Sequence, residues 1–185
     1  MHRDISLNNL MLRVEGDRVY GVLNDFDLAV LRDVQSSSSK QRTGTKPFMA
    51  IDLLHRDASI HMYRHDLESM FYVLLWITSR FHNGEEIVNP PLQEWADKDD
   101  TYLLDKKRSF ISHEAPPVPT PQFVSLRRCW VIPMLKMIEE GFSARRRYLL
   151  EKETPESATL YFDDETLGGL VTLDKFQAIL DIQLQ

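Results

Sequence analysis

Cysteine is almost missing: Cys129 stands alone among 185 residues, which excludes an internal disulfide and a thiolate metal cluster. A reducing compartment, cytoplasm or nucleus, is therefore expected. Long apolar runs are missing too. The longest uncharged one, residues 70–78, falls far short of the roughly 18 residues that a membrane-spanning helix needs, and no signal-peptide pattern opens the chain. No membrane partner is expected. Nor is there an excess of positive charge: 22 Lys and Arg stand against 28 Asp and Glu, for a net charge of -6. Proteins that grip nucleic acid neutralise phosphates with clustered Lys and Arg, so no nucleic-acid partner is expected. No internal repeat is visible. His55, His61, His65, His82 and His113 lack ligand spacing backed by cysteine or a second acidic cluster, so no zinc site is assigned to them.

What remains is ordinary globular material, 43% hydrophobic and 27% charged, enough for one core. Leu10, Met11, Leu12 and Val14, then Val19, Tyr20, Val22 and Leu23, flank the turn-like cluster Glu15, Gly16, Asp17 and Arg18. This spacing predicts a β-hairpin, whose antiparallel pairing would bring Asn9 and Asp25 to the same end. Residues 35–46, with serine at every position from 36 to 39, read as a surface loop, or alternatively as a regulatory phosphorylation site.

The span 66–81 is apolar nearly all round and predicts a buried central helix. Shorter helices are expected over 92–95 and 102–111. Pro116, Pro117, Pro119 and Pro121 make 113–122 an extended connector, or alternatively an SH3-type ligand. Ser125 caps a helix expected to run to Glu140, kinked or broken at Pro133 and stopped at Gly141, with another helix from Ser143. Thr172 precedes Leu173, Phe176, Ile179 and Leu180 at helical spacing, in a segment expected to dock on the rest. The fold class is thus mainly α with a small β-hairpin.

The chemistry is carried by the first third of the chain. Phosphoryl transfer from ATP needs a carboxylate that orients the acceptor hydroxyl and hard oxygen ligands for magnesium beside the phosphates. His2, Arg3 and Asp4 are followed by Ile5, Ser6, Leu7, Asn8 and Asn9, which is the HRDxxxxN spacing of a kinase catalytic loop. Asp25, Phe26 and Asp27 resemble the DFG segment. Asp27 replaces its glycine, a change that Asp tolerates because it can take left-handed backbone conformations. Gly44, Thr45, Lys46, Pro47, Phe48, Met49 and Ala50 resemble the loop that enters the APE motif, here Ala50, Ile51, Asp52. Asp66 resembles the aspartate of the central kinase helix that braces the catalytic loop.

Together, HRDIS, DFDLA, GTxPFM and HDLES are similar to the fungal-type protein kinase family, over roughly the first half of the chain. The resemblance implies a protein-kinase-like C-terminal lobe (α+β) without its N-terminal lobe. Residues 1–152 would form the partial lobe: catalytic loop 2–9, metal-binding segment 25–27, activation loop 28–52 and central helix about 66–81. Residues 153–185 would be an extension docked on it. It also implies Asp4, Arg3 and Thr45 as catalytic residues, with Asp4 accepting or orienting the proton of the substrate hydroxyl, Asn9 and Asp25 as ligands of Mg2+, and ATP as phosphate donor. Arg3 would face a phosphorylated loop residue, His2 would be structural, and Asp52 would pair with Arg145, Arg146 or Arg147.

Ser6 stands where Ser/Thr kinases commonly place a lysine that neutralises the transferring phosphate. No Gly-rich loop, strand lysine or partner-helix glutamate precedes the motif, and the chain reads as cut at its start. The expected function is a fragment of an ATP-dependent Ser/Thr protein kinase, inactive alone, whose partners are a protein substrate or a segment supplying the N-terminal lobe. The alternatives are a non-catalytic kinase-like binding or regulatory module, and a small-molecule phosphotransferase that uses Asp25 and Asp27 as paired acids.

Overall fold

A computed structural model describes residues 1–31, 43–55, 60–153 and 161–181. The serine-rich stretch lies outside the described residues. The architecture is mostly helical with two small antiparallel sheets, an α+β arrangement. No helix among the described residues is long and apolar enough to cross a membrane.

The expected hairpin forms as β1 (Leu10–Glu15) and β2 (Arg18–Leu23), paired from Leu10 opposite Leu23 to Glu15 opposite Arg18. Gly16, at φ 59°, supplies the left-handed residue that so short a turn requires. Leu10 and Leu23 pack on the core, while Leu12, Val14 and Val19 stand 77%, 67% and 63% exposed. The register returns the chain to its starting point: the Asn24 N–H donates to the Asn9 carbonyl at 2.8 Å.

α1 (Tyr63–Arg80) is the central helix, beginning three residues before the expected 66–81. Phe71, Tyr72, Val73, Leu75 and Trp76 are buried, while Leu67, Met70, Leu74 and Ile77 form a partly buried stripe packed against the core. Its buried hydroxyls are satisfied within the helix, Ser69 and Ser79 donating to the carbonyls of His65 and Leu75. Arg80 closes it by stacking 3.7 Å over the Trp76 ring and donating to Glu86, Pro91 and Gln93. This anchors a second, unexpected hairpin, β3 (Phe81–His82) with β4 (Glu85–Glu86).

α2 (Glu94–Asp97) and α3 (Asp100–His113) stand close to the two short helices read from the sequence. Leu103, Phe110 and Ile111 of α3 are buried, and Trp95 of α2 meets Tyr72 and Phe110 edge-on. The proline-rich connector carries no helix or strand between His113 and Pro121 and is tied to the rest of the fold at Pro116 and Thr120. Pro116 is buried and its carbonyl accepts from Arg127, while Thr120 is buried and bonded to Thr78 and Phe81.

At Pro133, where a kink or break was expected, the helix is distorted into a π segment but not broken, and the expected stop at Gly141 does not occur. After α4 (Val124–Leu126), Arg127–Val131 forms a wide π turn that leads straight into α5 (Ile132–Lys152). The Ile132 N–H reaches back five residues to the Arg127 carbonyl, and this widening admits the Pro133 ring without ending the helix. Gly141 lies mid-helix for a different reason. A Cβ there would sit 2.9 Å from Leu167 Cδ1 and 3.0 Å from Val171 Cγ2, so the glycine makes room for the C-terminal segment. That segment ends in α6 (Leu173–Leu180), capped by the Thr172 hydroxyl accepting from the Lys175 N–H. Phe176 is buried, and α6 packs on α1 and α5.

Candidate active site

Two distant parts of the chain must be held together before residues 2–9 can act. Asp66, in the first turn of α1, does this with one carboxylate: Oδ2 accepts the His2 N–H at 2.6 Å and Oδ1 accepts the Arg3 N–H at 3.0 Å. His61 Nε2 lies 2.9 Å from the same Oδ1. Burial works to raise the Asp66 pKa, but the His61 ring and the two N–H donors outweigh it and hold the carboxyl below its ordinary value. Ile5 then anchors the loop in the core.

His2 is buried. Its Nε2 lies 2.8 Å from the Asn24 carbonyl, and its ring meets Phe26 edge-on at 4.9 Å. Met1 and Val30 exchange both backbone hydrogen bonds, so segment 24–30 lies along the start of the loop. Arg3 is buried and sits at φ 75°. Asp25, at φ 60°, is the residue in the left-handed region, whereas Asp27, from which that conformation was expected, is not. The Ala29 N–H instead donates to the Phe26 carbonyl in an ordinary turn. Strained non-glycine backbone of this kind costs about 1–3 kcal/mol and persists where the surroundings enforce it.

Asp4 is fixed from two directions. Asn9 Nδ2 donates to its backbone carbonyl at 2.9 Å and to its Oδ2 at 3.3 Å, while Thr45 donates to Oδ1 through both N–H and Oγ1, each at 2.8 Å. Asn9 thus presents its amide nitrogen to Asp4, leaving its oxygen for other partners. Ser6 is 1% exposed, so it supplies no exposed polar group in place of the lysine. Asn9 and Asp25 lie at one end of the hairpin, through the Asn24–Asn9 backbone bond. Asp4, Asn9, Thr45 and the Asp25 segment therefore share one region.

The segment carrying Thr45 is clamped by charged residues that sequence reasoning left unassigned. Lys46–Phe48 and Ile51–Leu54 are short 3-10 turns. Between them the Met49 carbonyl accepts from Lys107 Nζ at 2.5 Å, and the Ile51 N–H donates to Glu68 Oε1 at 2.8 Å. Lys107 is fully buried, 3.6 Å from the Tyr72 ring centroid; burial drives its pKa well below the ordinary lysine value, against the pull of Glu68. Glu68, also accepting from the Tyr72 hydroxyl, is pushed up by burial.

Asp52 meets Arg145 at 2.7 Å, as expected of one of the three arginines, and also Arg64 at 2.5 Å. Arg64 Nε and Arg145 Nε continue to the carbonyl and carboxylate of Asp164. Burial works to raise the Asp52 pKa, yet His65 and the two guanidiniums hold it far below the carboxylate range. His65 is the counterpart: burial, reinforced by the Arg64 charge, lowers its pKa from 6.5 to about 4. Its Nδ1 accepts the Met62 N–H, leaving Nε2–H toward Asp52 at 3.9 Å.

Asn9 and Asp25 offer the hard oxygen donors that magnesium prefers, and an ion held by so few side chains completes its shell with phosphate and water oxygens. No group of three or more His, Cys, Asp or Glu side chains able to hold a metal ion is found among the described residues.

No curated protein and no solved structure matches this chain. Residues 1–78, which hold the Asp4 loop, the Asp25 segment, the Thr45 turn and most of α1, match the fungal protein kinase family.

Proposed function

We propose that residues 1–152 are the catalytic part of a protein kinase C-terminal lobe, acting in ATP-dependent transfer of the γ-phosphate to Ser or Thr hydroxyls of a protein. The supporting observation is the Asp4 carboxylate, held by Asn9 and Thr45 on a loop suspended from Asp66. In this reading Asp4 orients the acceptor hydroxyl and takes its proton, and Thr45 keeps the carboxylate aimed. Asn9 and Asp25 hold Mg2+, which would neutralise charge on the phosphates. Ser6 leaves the transferring phosphate without a lysine, and a lobe covering ATP must be supplied in addition to these residues.

The test compares the 185-residue chain with a polypeptide in which a Gly-rich, lysine-bearing lobe is joined ahead of Met1. Calorimetry with magnesium and ATP should show binding only in the joined form, which should phosphorylate protein hydroxyls. Asp4→Asn in that form should lower the rate about 10²–10⁴-fold. Tight nucleotide binding by the chain alone refutes the need for a second lobe. Phosphate appearing on a small alcohol supports the small-molecule alternative. A second reading, a non-catalytic binding module, is favoured by the exposed Leu12, Val14 and Val19 of the hairpin. Absence of nucleotide binding by both forms would count against the first reading.

A further inference from the structure

Apart from the Asp4 region, a cleft of about 490 Å³ opens between the Ile51–Leu54 turn, α3 and α5. That volume falls within the roughly 300–1,000 Å³ of pockets that hold small ligands or short peptide segments. Its lining is apolar below and cationic at the rim. Ile51 and Ile111 are almost fully buried, Phe142 continues the surface, and Leu149 stands 53% exposed beside it.

The charges at the rim do not balance. Arg145 is already spent on Asp52 and Asp164, and those acids with Arg64 form a closed set of two cations and two anions. Among the described lining residues that leaves Arg108 and Arg146 against Glu139. This local excess sits on a chain whose net charge is -6. Arg146 has no carboxylate partner among the described residues. Arg108 Nη2 faces His55 Nε2 at 2.8 Å. A guanidinium can only donate, so the imidazole lone pair occupies the place where a carboxylate would bind far better.

We propose that this cleft docks an acidic peptide segment of a partner protein. An apolar side chain enters between Ile111, Phe142 and Leu149, and a neighbouring carboxylate takes Arg108 from His55 and draws in Arg146. The site is separate from phosphoryl transfer and does not depend on that reading.

The test uses the full 185-residue chain and a fluorescein-labelled peptide with one phenylalanine between aspartates, titrated by anisotropy. Saturable binding with Kd on the order of 10–100 μM is expected, as befits a small, partly polar contact. Twins with lysine for aspartate or serine for phenylalanine should bind at least about tenfold more weakly. Arg108→Glu and Arg146→Glu should each weaken binding about tenfold, and Leu149→Ser should weaken it severalfold. Arg147→Glu makes the same charge change on a residue outside the cleft and should leave binding unchanged. In the wild-type chain, the peptide should shift the Nε–Hε signals of Arg108 and Arg146 in NMR spectra, a readout that does not depend on how a variant folds. The proposal is overturned if no saturable binding appears up to about 1 mM. It is equally overturned if Arg147→Glu matches Arg108→Glu, or if inorganic phosphate binds as tightly as the peptide.

Discussion

Asp66 accepts the backbone N–H of His2 at 2.6 Å across 64 positions of chain, and with its other oxygen accepts that of Arg3. The central helix thereby sets where the Asp4 loop begins. Asp66→Ala should leave two N–H groups unsatisfied and cost about 2–5 kcal/mol, with Asp66→Asn costing less because one acceptor oxygen remains. Urea denaturation gives the loss, and amide exchange at His2 and Arg3 should accelerate. Unchanged protection at both amides would refute the brace.

The ion cluster around Asp52 predicts an asymmetry. Arg64 is 1% exposed, so Asp52→Ala strands a buried guanidinium and should cost about 3–5 kcal/mol. Arg145 is 27% exposed, and Arg145→Ala leaves Asp52 still paired with Arg64; about 1 kcal/mol is expected. Equal losses in denaturation would contradict a buried Arg64–Asp52 core.

Gly141→Ala tests why α5 runs through its glycine. In an exposed helix this change gains about 1 kcal/mol. Here the added methyl meets Leu167 at 2.9 Å, and a net loss of about 1–3 kcal/mol is expected. Adding Leu167→Ala should recover part of the loss. Thermal melts of the single and double variants measure both.

Acid should destabilise the protein in two stages. His65 is held neutral in the fold, its pKa lowered from 6.5 to about 4. The unfolded chain takes up this proton first, so the contribution is full above pH 6.5 and is lost as pH falls toward 4. The loss is at most about 3 kcal/mol, at about 1.4 kcal/mol per pH unit. Asp52 is depressed instead, so its contribution is full above the ordinary carboxylate value near about 4 and declines only below that. Urea midpoints across pH should fall less between 6.5 and 4 in His65→Gln than in the wild type. Identical slopes would show that His65 is not the group responsible.

The candidate site was legible in sequence because its parts are local or fixed in order. Asp4 and Asn9 lie on one loop, a hairpin of matched apolar runs returns the chain to Asp25, and Thr45 and Asp66 follow in kinase order. The clamp behind it was not legible. Lys107 and Glu68 look like solvent-facing charges until α3 and α1 close over the backbone at Met49 and Ile51, whose polar groups need partners in the interior. His61 and His65 carry no ligand spacing, and only the fold gives them Asp66 and Asp52 as neighbours.

By itself the sequence determined the hairpin, the buried central helix, the α6 cap at Thr172 and the acidic and amide groups of the loop. These follow from periodicity, turn chemistry and spacing, all short-range properties. Tertiary structure alone decided that the helix goes on past Pro133 by way of a π turn and runs through Gly141, that Pro116 is buried, and that Asp25 rather than Asp27 takes the left-handed backbone. The reason is physical: a local preference of about 1–3 kcal/mol is overruled when packing against a distant segment offers more.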